Sequence, residues 1–345
     1  MANIYKTLAS DDITSTRTLL HENVPVTGAI VSGSTYEDLN IKNYSHGMFQ
    51  SVYDYPILSS SANHLFDLTC GYFTGSALNN TTYEQNTKKV NVYGQMAQVL
   101  VGYDAAGSVR AFDRDGDLSE GDKISEAYFI NLSRLLAKDE IRKGEFRLTV
   151  GTGSAYAEGD DNTKTISVGD FGAADSFKVN SPAGDYAILY TGSAAEAGSG
   201  VGLLYYQAGI AVLTASLFAT GDTGDIVFSS AGNVEATLTG SDIQENCNSL
   251  RYRIQNLVFD NTIELNSTIY FCNANHNEFN YSSNPTYLSG SKIRVKDNPK
   301  DSPSSYITSV GLYSTDNELL ATAKLSEPLK KDPSSTLTLR VRLDY

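Results

Sequence analysis

The sequence has no tryptophan, only four histidines and only three cysteines, Cys70, Cys247 and Cys272. An odd number of cysteines at wide spacing, with no CxxC pair, is neither a disulfide framework nor a zinc site. Such thiols read as small buried hydrophobes. His21, His46, His64 and His276 lie far apart, and none pairs with another at metal-ligand spacing. No nucleophile elbow, P-loop or dinucleotide fingerprint is present. The Gly-rich "GTGSAYAEG" at 151–159 lacks the Lys-Ser/Thr of a P-loop. Nothing among the 40 acidic residues selects a glycosidase pair. A non-enzymatic chain is the expectation.

Positive charge is also short. Against 40 Asp and Glu stand 26 Lys and Arg, a formal net charge of −14, and the basic residues are scattered. Phosphate binding needs them clustered, so no nucleic-acid partner is expected. No apolar run approaches the roughly 18 residues of a membrane helix. The closest, "VGLLYYQAGIAVLTASLF" at 201–218, is broken by Gln207 and Gly209 and reads as buried strands. The opening "MANIYKTLASDD" lacks the regions of a signal peptide. Synthesis in a cytosol, without membrane association, is expected.

What the chain does have is tyrosine, 22 of them, 28 glycines, many short polar loops and 41% apolar residues, enough for a core. This composition predicts a mainly β fold: antiparallel sheets or a β-sandwich, with one or two short helices and long loops. Residues 1–45 read as an extended N-terminal arm and 46–150 as an α+β segment of the core. Residues 151–260 read as an inserted, loop-rich β region, and 261–345 as a C-terminal antiparallel β unit. In "TKKVNVYGQMAQVLVGYD" (87–104), Val92, Met96 and Leu100 recur at four-residue spacing, which predicts a helix. "EAYFINLSRLLAKDEIRKGEFRLTVG" reads as strand, a turn near Lys143-Gly144, then strand. "TLTLRVRLDY" alternates strictly, as a half-buried strand does. "YITSVGLYS" and "ELLATAKLS" around "TDNE" read as a hairpin.

The stretch "FDRDGDLSEGDK" (112–123) has the look of a calcium loop. In an EF-hand, Gly falls at position 6 and a bidentate Glu at position 12. Counting from Asp113, Gly116 falls at position 4 and Ile124 at position 12, so the register fails. Asp113, Asp115, Asp117 and Asp122 remain the candidate calcium ligands in some other geometry, beside the plainer reading of a solvated Asp-Gly turn. "EGDDN" (158–162) and "GDTGD" (221–225) are turn signals of the same kind. His276 and Glu278 sit in the Asn-rich "NANHNEFNYSSNP", which reads as a hydrogen-bonded loop. No cofactor other than this candidate calcium is expected.

Three segments carry a resemblance: "HGMFQSVYDYPILSSSANHLFDLT" (46–69), "FCNANHNEFNYSSNPTYLSG" (271–290) and "YITSVGLYSTDNELLATAKLSEPLKKDPSSTLTLRVRLDY" (306–345). They resemble virion structural proteins of marine T-even-like contractile-tailed phages, including those of cyanobacteria. "FINLSRLLAKDEIRKGEFRLTVG" (129–151) and "LYYQAGIAVLTAS" (204–216) look like further blocks of that family. Together they cover roughly half the chain. The resemblance implies a virion component without catalytic residues, with the contractile tail and its baseplate as the preferred location. Its partners would be further copies of itself, as a homo-oligomer, and other virion proteins. A tail-fibre head or receptor-binding adhesin, a head decoration protein and a polysaccharide-degrading tail enzyme are the alternatives. Under the assembly reading, the aromatic stretch 46–73 supplies the candidate contact residues Phe49, Tyr53, Tyr55 and Phe66. The plainer reading of each is a core residue.

Overall fold

The structure is a computed structural model. It describes residues 5–26, 39–118, 121–151, 165–192, 200–218, 238–251, 253–282, 284–290, 292–293, 298 and 300–345. The readings at 158–162 and 221–225 lie outside the described residues. The chain forms two compact units, one of Leu20–Ile263 (the main unit) and one of Met1–Leu19 with Glu264–Tyr345 (the terminal unit). The segments 46–150 and 151–260, read separately in the sequence, belong together in the main unit. Interleaved pairing causes this: strands from one segment hydrogen-bond to strands from the other.

The main unit runs from β1 (Ile13–Pro25, whose first residues belong to the terminal unit) through β2 (Ile41–Asn43), β3 (Gln50–Tyr53) and β4 (His64–Tyr72) to α1 (Asn86–Leu100). A small hairpin of β5 (Phe112–Asp113) and β6 (Lys123–Ile124) precedes β7 (Glu126–Leu132), α2 (Arg134–Ala137), β8 (Glu140–Ile141) and β9 (Arg147–Gly151). Then come β10 (Thr165–Gly169), α3 (Ala173–Ser176), β11 (Tyr186–Thr191), β12 (Gly202–Tyr205), β13 (Ile210–Thr214), α4 (Ile243–Arg251) and β14 (Ile254–Ala274). The mainly β expectation is borne out. The described residues hold more helices than the one or two expected, and all but α1 are short.

The strand order is β1-β14-β9-β10-β11-β12-β13-β7-β4-β3-β2, and neighbours pair antiparallel. Strand β11 makes the corner of this sandwich-like fold. Tyr186–Leu189 pair with β12, while Tyr190 and Thr191 pair with β10. One strand thus contributes to two sheets, as at the corners of orthogonally packed sheets. The predicted strands at 201–218 are β12 and β13, buried nearly throughout.

Aromatic rings fill the core. Tyr93 meets Phe112 and Phe129 edge-on, Phe112 meets Tyr205, and Tyr205 stacks on Tyr186 at 5.1 Å between centroids. Each ring buried this fully contributes roughly 1.5–3 kcal/mol, and edge-to-face pairing adds to that. Helix α1 lies so close over β4 that a Cβ on Gly71 would fall 2.3 Å from the Lys89 carbonyl oxygen. The helix stops four residues before the expected end, because Gly102 takes a left-handed φ of 81° and donates its N–H to Ala97 O at 3.0 Å. Beneath α1, the fully buried Lys89 ammonium donates to the carbonyls of Glu84, Leu238 and Ser241 at 2.5–2.8 Å.

The terminal unit contains the second half of β14, β15 (Leu288–Ser289), β16 (Lys292–Ile293), β17 (Ser305–Tyr313), β18 (Leu319–Lys331) and β19 (Leu337–Asp344). The predicted C-terminal hairpin and final strand are β17–β18 and β19. Strand β19 pairs antiparallel with β14 from Ser267↔Asp344 to Ala274↔Leu337. The expected N-terminal arm is in part strand β1, at one end of the strand order. Its residues are exposed except for half-buried Val24.

Candidate functional site

The acidic loop is closed by the β5–β6 hairpin, whose register sets Asp113 opposite Lys123. The Lys123 Nζ lies 3.1 Å from Asp113 Oδ1. The backbone N–H of Leu118 donates to Asp113 Oδ2 at 2.6 Å. Carboxylate oxygens of Asp113, Asp115 and Asp117 gather within 4.8 Å of one another, Asp113 buried and the other two exposed. Asp122 is not one of this trio. Its backbone carbonyl accepts the Arg114 N–H, and its side chain lines a cavity of about 320 Å³ with Arg114, Asp115, Phe171, Lys178 and Tyr190. The loop is pinned from below: Asn180 Nδ2 and the Tyr186 hydroxyl both donate to Gly116 O, at 3.1 and 3.2 Å.

Burial pushes the Asp113 carboxyl above its ordinary pKa, and the neighbouring Asp115 adds to this, while Lys123 and the Leu118 N–H oppose it. Calcium takes six to eight oxygens. Here three carboxylates gather, and the ammonium of Lys123 already stands against the most buried of them. The donor set fits an internally balanced turn better than a calcium shell.

The four aromatic candidates separate. Phe66 is 0% exposed, set in β4 between Val52 of β3 and Leu132 of β7. It has no surface to offer a partner, so its reading as a contact residue is corrected. It faces inward because even-numbered positions along that part of β4 turn to the core. Tyr53 is half-buried at the end of β3, its ring edge-on to His64 at 5.5 Å. Burial, with Tyr44 and Asp67 nearby, raises its hydroxyl pKa. Phe49 is half-buried and packs on Tyr44 and His46 at 4.8 and 5.0 Å. Tyr55 is exposed, on a loop that also exposes Ile57 and Leu58, the latter 94% open.

Below that loop, Asp67 Oδ1 receives the Ser51 hydroxyl at 2.5 Å and lies 2.9 Å from His64 Nε2. Serine and histidine both address the carboxylate rather than each other. A nucleophile would need the serine on the imidazole, so this trio is a polar clasp between β3 and β4. Glu278 is likewise engaged elsewhere, paired with Lys6 at 2.6 Å, and at His276 it is the backbone carbonyl that lies 3.4 Å from Lys331 Nζ.

A surface that the sequence reading did not single out lies in the terminal unit. Its buried residues, among those described, are Ser267, Thr268, Ala274, Ser305 and Lys331. Four of the five are polar. The β14–β19 register places Tyr270, Cys272 and Ala274 on one face with Leu337, Leu339, Val341 and Leu343, and all but Ala274 remain half-exposed. Tyr306, Tyr313, Leu319, Leu320, Leu329 and Tyr345 are more exposed still. The alternation of 337–345 was visible in the sequence. What it could not tell is that the apolar side of the alternation lacks a cover among the described residues.

Set against protein-family models, curated proteins and solved structures, the chain matches none of them.

Proposed function

We propose that this chain is a structural subunit of a phage virion, most directly of the contractile tail or its baseplate, and that it acts through protein–protein assembly. The observation that carries the reading is the terminal unit. It is built of long strands, yet Ala274 is the one apolar residue it buries among those described. Strands whose apolar faces stay half-open do not cover their own entropy cost, and the missing burial is supplied by neighbours in an assembly. The exposed Tyr55, Ile57 and Leu58 on the main unit are a second contact surface of the kind assemblies use. The segments 46–69, 271–290 and 306–345 supply the virion likeness, and nothing in the serine–aspartate–histidine geometry argues for catalysis.

Quantitative mass spectrometry of purified virions against the major capsid protein tests this. A copy number that is a small multiple of six is expected. Hundreds of copies would move the chain to the head surface or along the tail, as a decoration or tube component. Absence from virions would overturn the reading.

A further inference from the structure

We infer that two copies of this chain pair through the outer edge of β17, antiparallel, about a two-fold axis. This rests on the assembly reading above and names the partner and the strand.

Strands β17 and β18 form a sheet of two. A lone two-stranded ribbon is marginal in water, and each of its outer edges offers unpaired N–H and C=O groups to any passing strand. Natural edges are guarded by lysine, proline or bulges. Strand β18, "LLATAKLSEPLKK", carries Lys324, Glu327, Pro328, Lys330 and Lys331. Its pairing also slips between Lys324 and Leu329, opposite the Ile307/Ser309 register shift. That edge is guarded. Strand β17, "SYITSVGLY", has neither proline nor charge across its nine residues. Among the described residues it pairs with β18 alone, so its other edge is open.

The occupant follows from charge. In an antiparallel two-fold pair, residue i of one copy meets residue j of the other and j meets i, so a strand weighted to one sign, as β18 is with three lysines against one glutamate, brings like charges together. Strand β17 is the member of the ribbon with no charge to repel itself. The surroundings agree. The 11 basic and 11 acidic residues of Met1–Leu19 and Glu264–Tyr345 cancel, so the full −14 of the chain lies in Leu20–Ile263. The terminal unit is therefore the part of this acidic chain that meets its own copy without net repulsion. Pairing would also extend one apolar face. Ile307, Val310 and Leu312 are half-buried on the side of β17 that continues through Leu329, Ala323 and Ala321 of β18.

The test is sedimentation of the purified full chain over a dilution series, beside a variant carrying Thr308→Lys and Ser309→Lys. Both positions are exposed, and neither is charged. The wild-type chain is expected to be a dimer that dissociates on dilution. The lysine pair is expected to weaken association at least about tenfold, with an unchanged circular dichroism spectrum. Thr322→Lys, equally exposed but on β18, is expected to leave the mass unchanged. Hydrogen exchange on the wild-type chain needs no variant: amides of 305–313 should gain protection above the dissociation constant and lose it below. A wild-type monomer at every concentration, a dimer indifferent to the lysine pair, or exchange at 305–313 that ignores concentration would each overturn the inference. A β17-dependent dimer of a protein missing from virions would sink the virion reading and leave this one standing. A virion protein whose association ignores β17 would do the reverse.

Discussion

Lys123 Nζ stands 3.1 Å from Asp113 Oδ1 across the β5–β6 hairpin, so the acidic loop carries its own counter-ion. With that ammonium in place, calcium should find little to bind. Thermal unfolding of the wild-type chain is expected to give the same midpoint in millimolar calcium and in chelator. Lys123→Met leaves the buried Asp113 carboxylate beside Asp115 and Asp117 with no cation. It should cost about 1–2 kcal/mol, after discounting for the partial exposure of Lys123, and calcium should restore part of the loss. A calcium-dependent midpoint in the wild-type chain would show that the ammonium yields to the ion.

The three thiols should divide by position. Cys70 and Cys247 are 0% exposed, and burial pushes the Cys70 thiol up to about 12 and raises that of Cys247 well above its ordinary value. Cys272 is half-buried on the apolar face that β14 shares with β19, and its thiol is raised less. Reaction needs the thiolate and access to it. A disulfide reagent on the native chain is expected to label Cys272 first and slowly, and all three thiols after unfolding. If that face is covered in the assembly, labelling of Cys272 should fall again in intact particles. Rapid labelling of Cys70 in the native chain would contradict the packing of β4.

Lys89 tests the link between α1 and residues 238–241. Replacing it with Met takes the donor from three carbonyls, of which that of Leu238 belongs to a buried residue, a loss of about 1–3 kcal/mol by denaturant unfolding. The pH dependence has a definite sign. Burial lowers the folded-state pKa of Lys89 below 10.5, so the folded chain releases that proton before the unfolded chain does. The burial cost of the charge is therefore present at neutral pH and fades as pH rises from the folded value towards 10.5. The stability of wild type relative to Lys89→Met should, from this term, improve across that alkaline window. The hydrogen bonds to the ammonium already count in that pKa, so a gap that narrows would mean the folded-state pKa is raised rather than lowered.

What could be read from the sequence followed from period and composition. The two-residue alternation of 337–345 and the paired runs around "TDNE" named β19 and the β17–β18 hairpin, because strand faces impose that period wherever one side is drier than the other. The four-residue stripe found α1, while its end was missed because a left-handed Gly102 leaves no hydrophobic signature. The division at residue 151 failed for a different reason. Composition changes there, yet β10 pairs with β9 and β13 with β7, and long-range pairing leaves no local trace. At the candidate site, the Asp-rich pattern named Asp113, Asp115, Asp117 and Asp122, of which the first three gather and Asp122 does not. It could not show that Lys123 closes the loop, since that depends on the hairpin register. The aromatic density of 46–73 pointed to both core and surface. Only burial separates Phe66 from Tyr55.

That separation is the sharpest test of the assembly reading, since neighbouring aromatic residues are assigned opposite roles. Phe66 lies at 0% exposure between Val52 and Leu132, so Phe66→Ala should cost about 3–5 kcal/mol through lost burial and the cavity left behind. Tyr55 and Leu58 are exposed, Leu58 by 94%. Replacing both with Ser removes apolar surface that packs on little, and the isolated chain should unfold within about 0.5 kcal/mol of wild type. In an assembly the order reverses. Tyr55→Ser with Leu58→Ser should reduce incorporation of an otherwise intact chain into particles, measured as its ratio to the major capsid protein. A destabilising but still folded core variant such as Phe66→Leu should incorporate normally at a temperature where it remains native. If the surface double variant enters particles at the wild-type ratio, the 54–63 loop is not a contact, and assembly must run through the terminal unit alone.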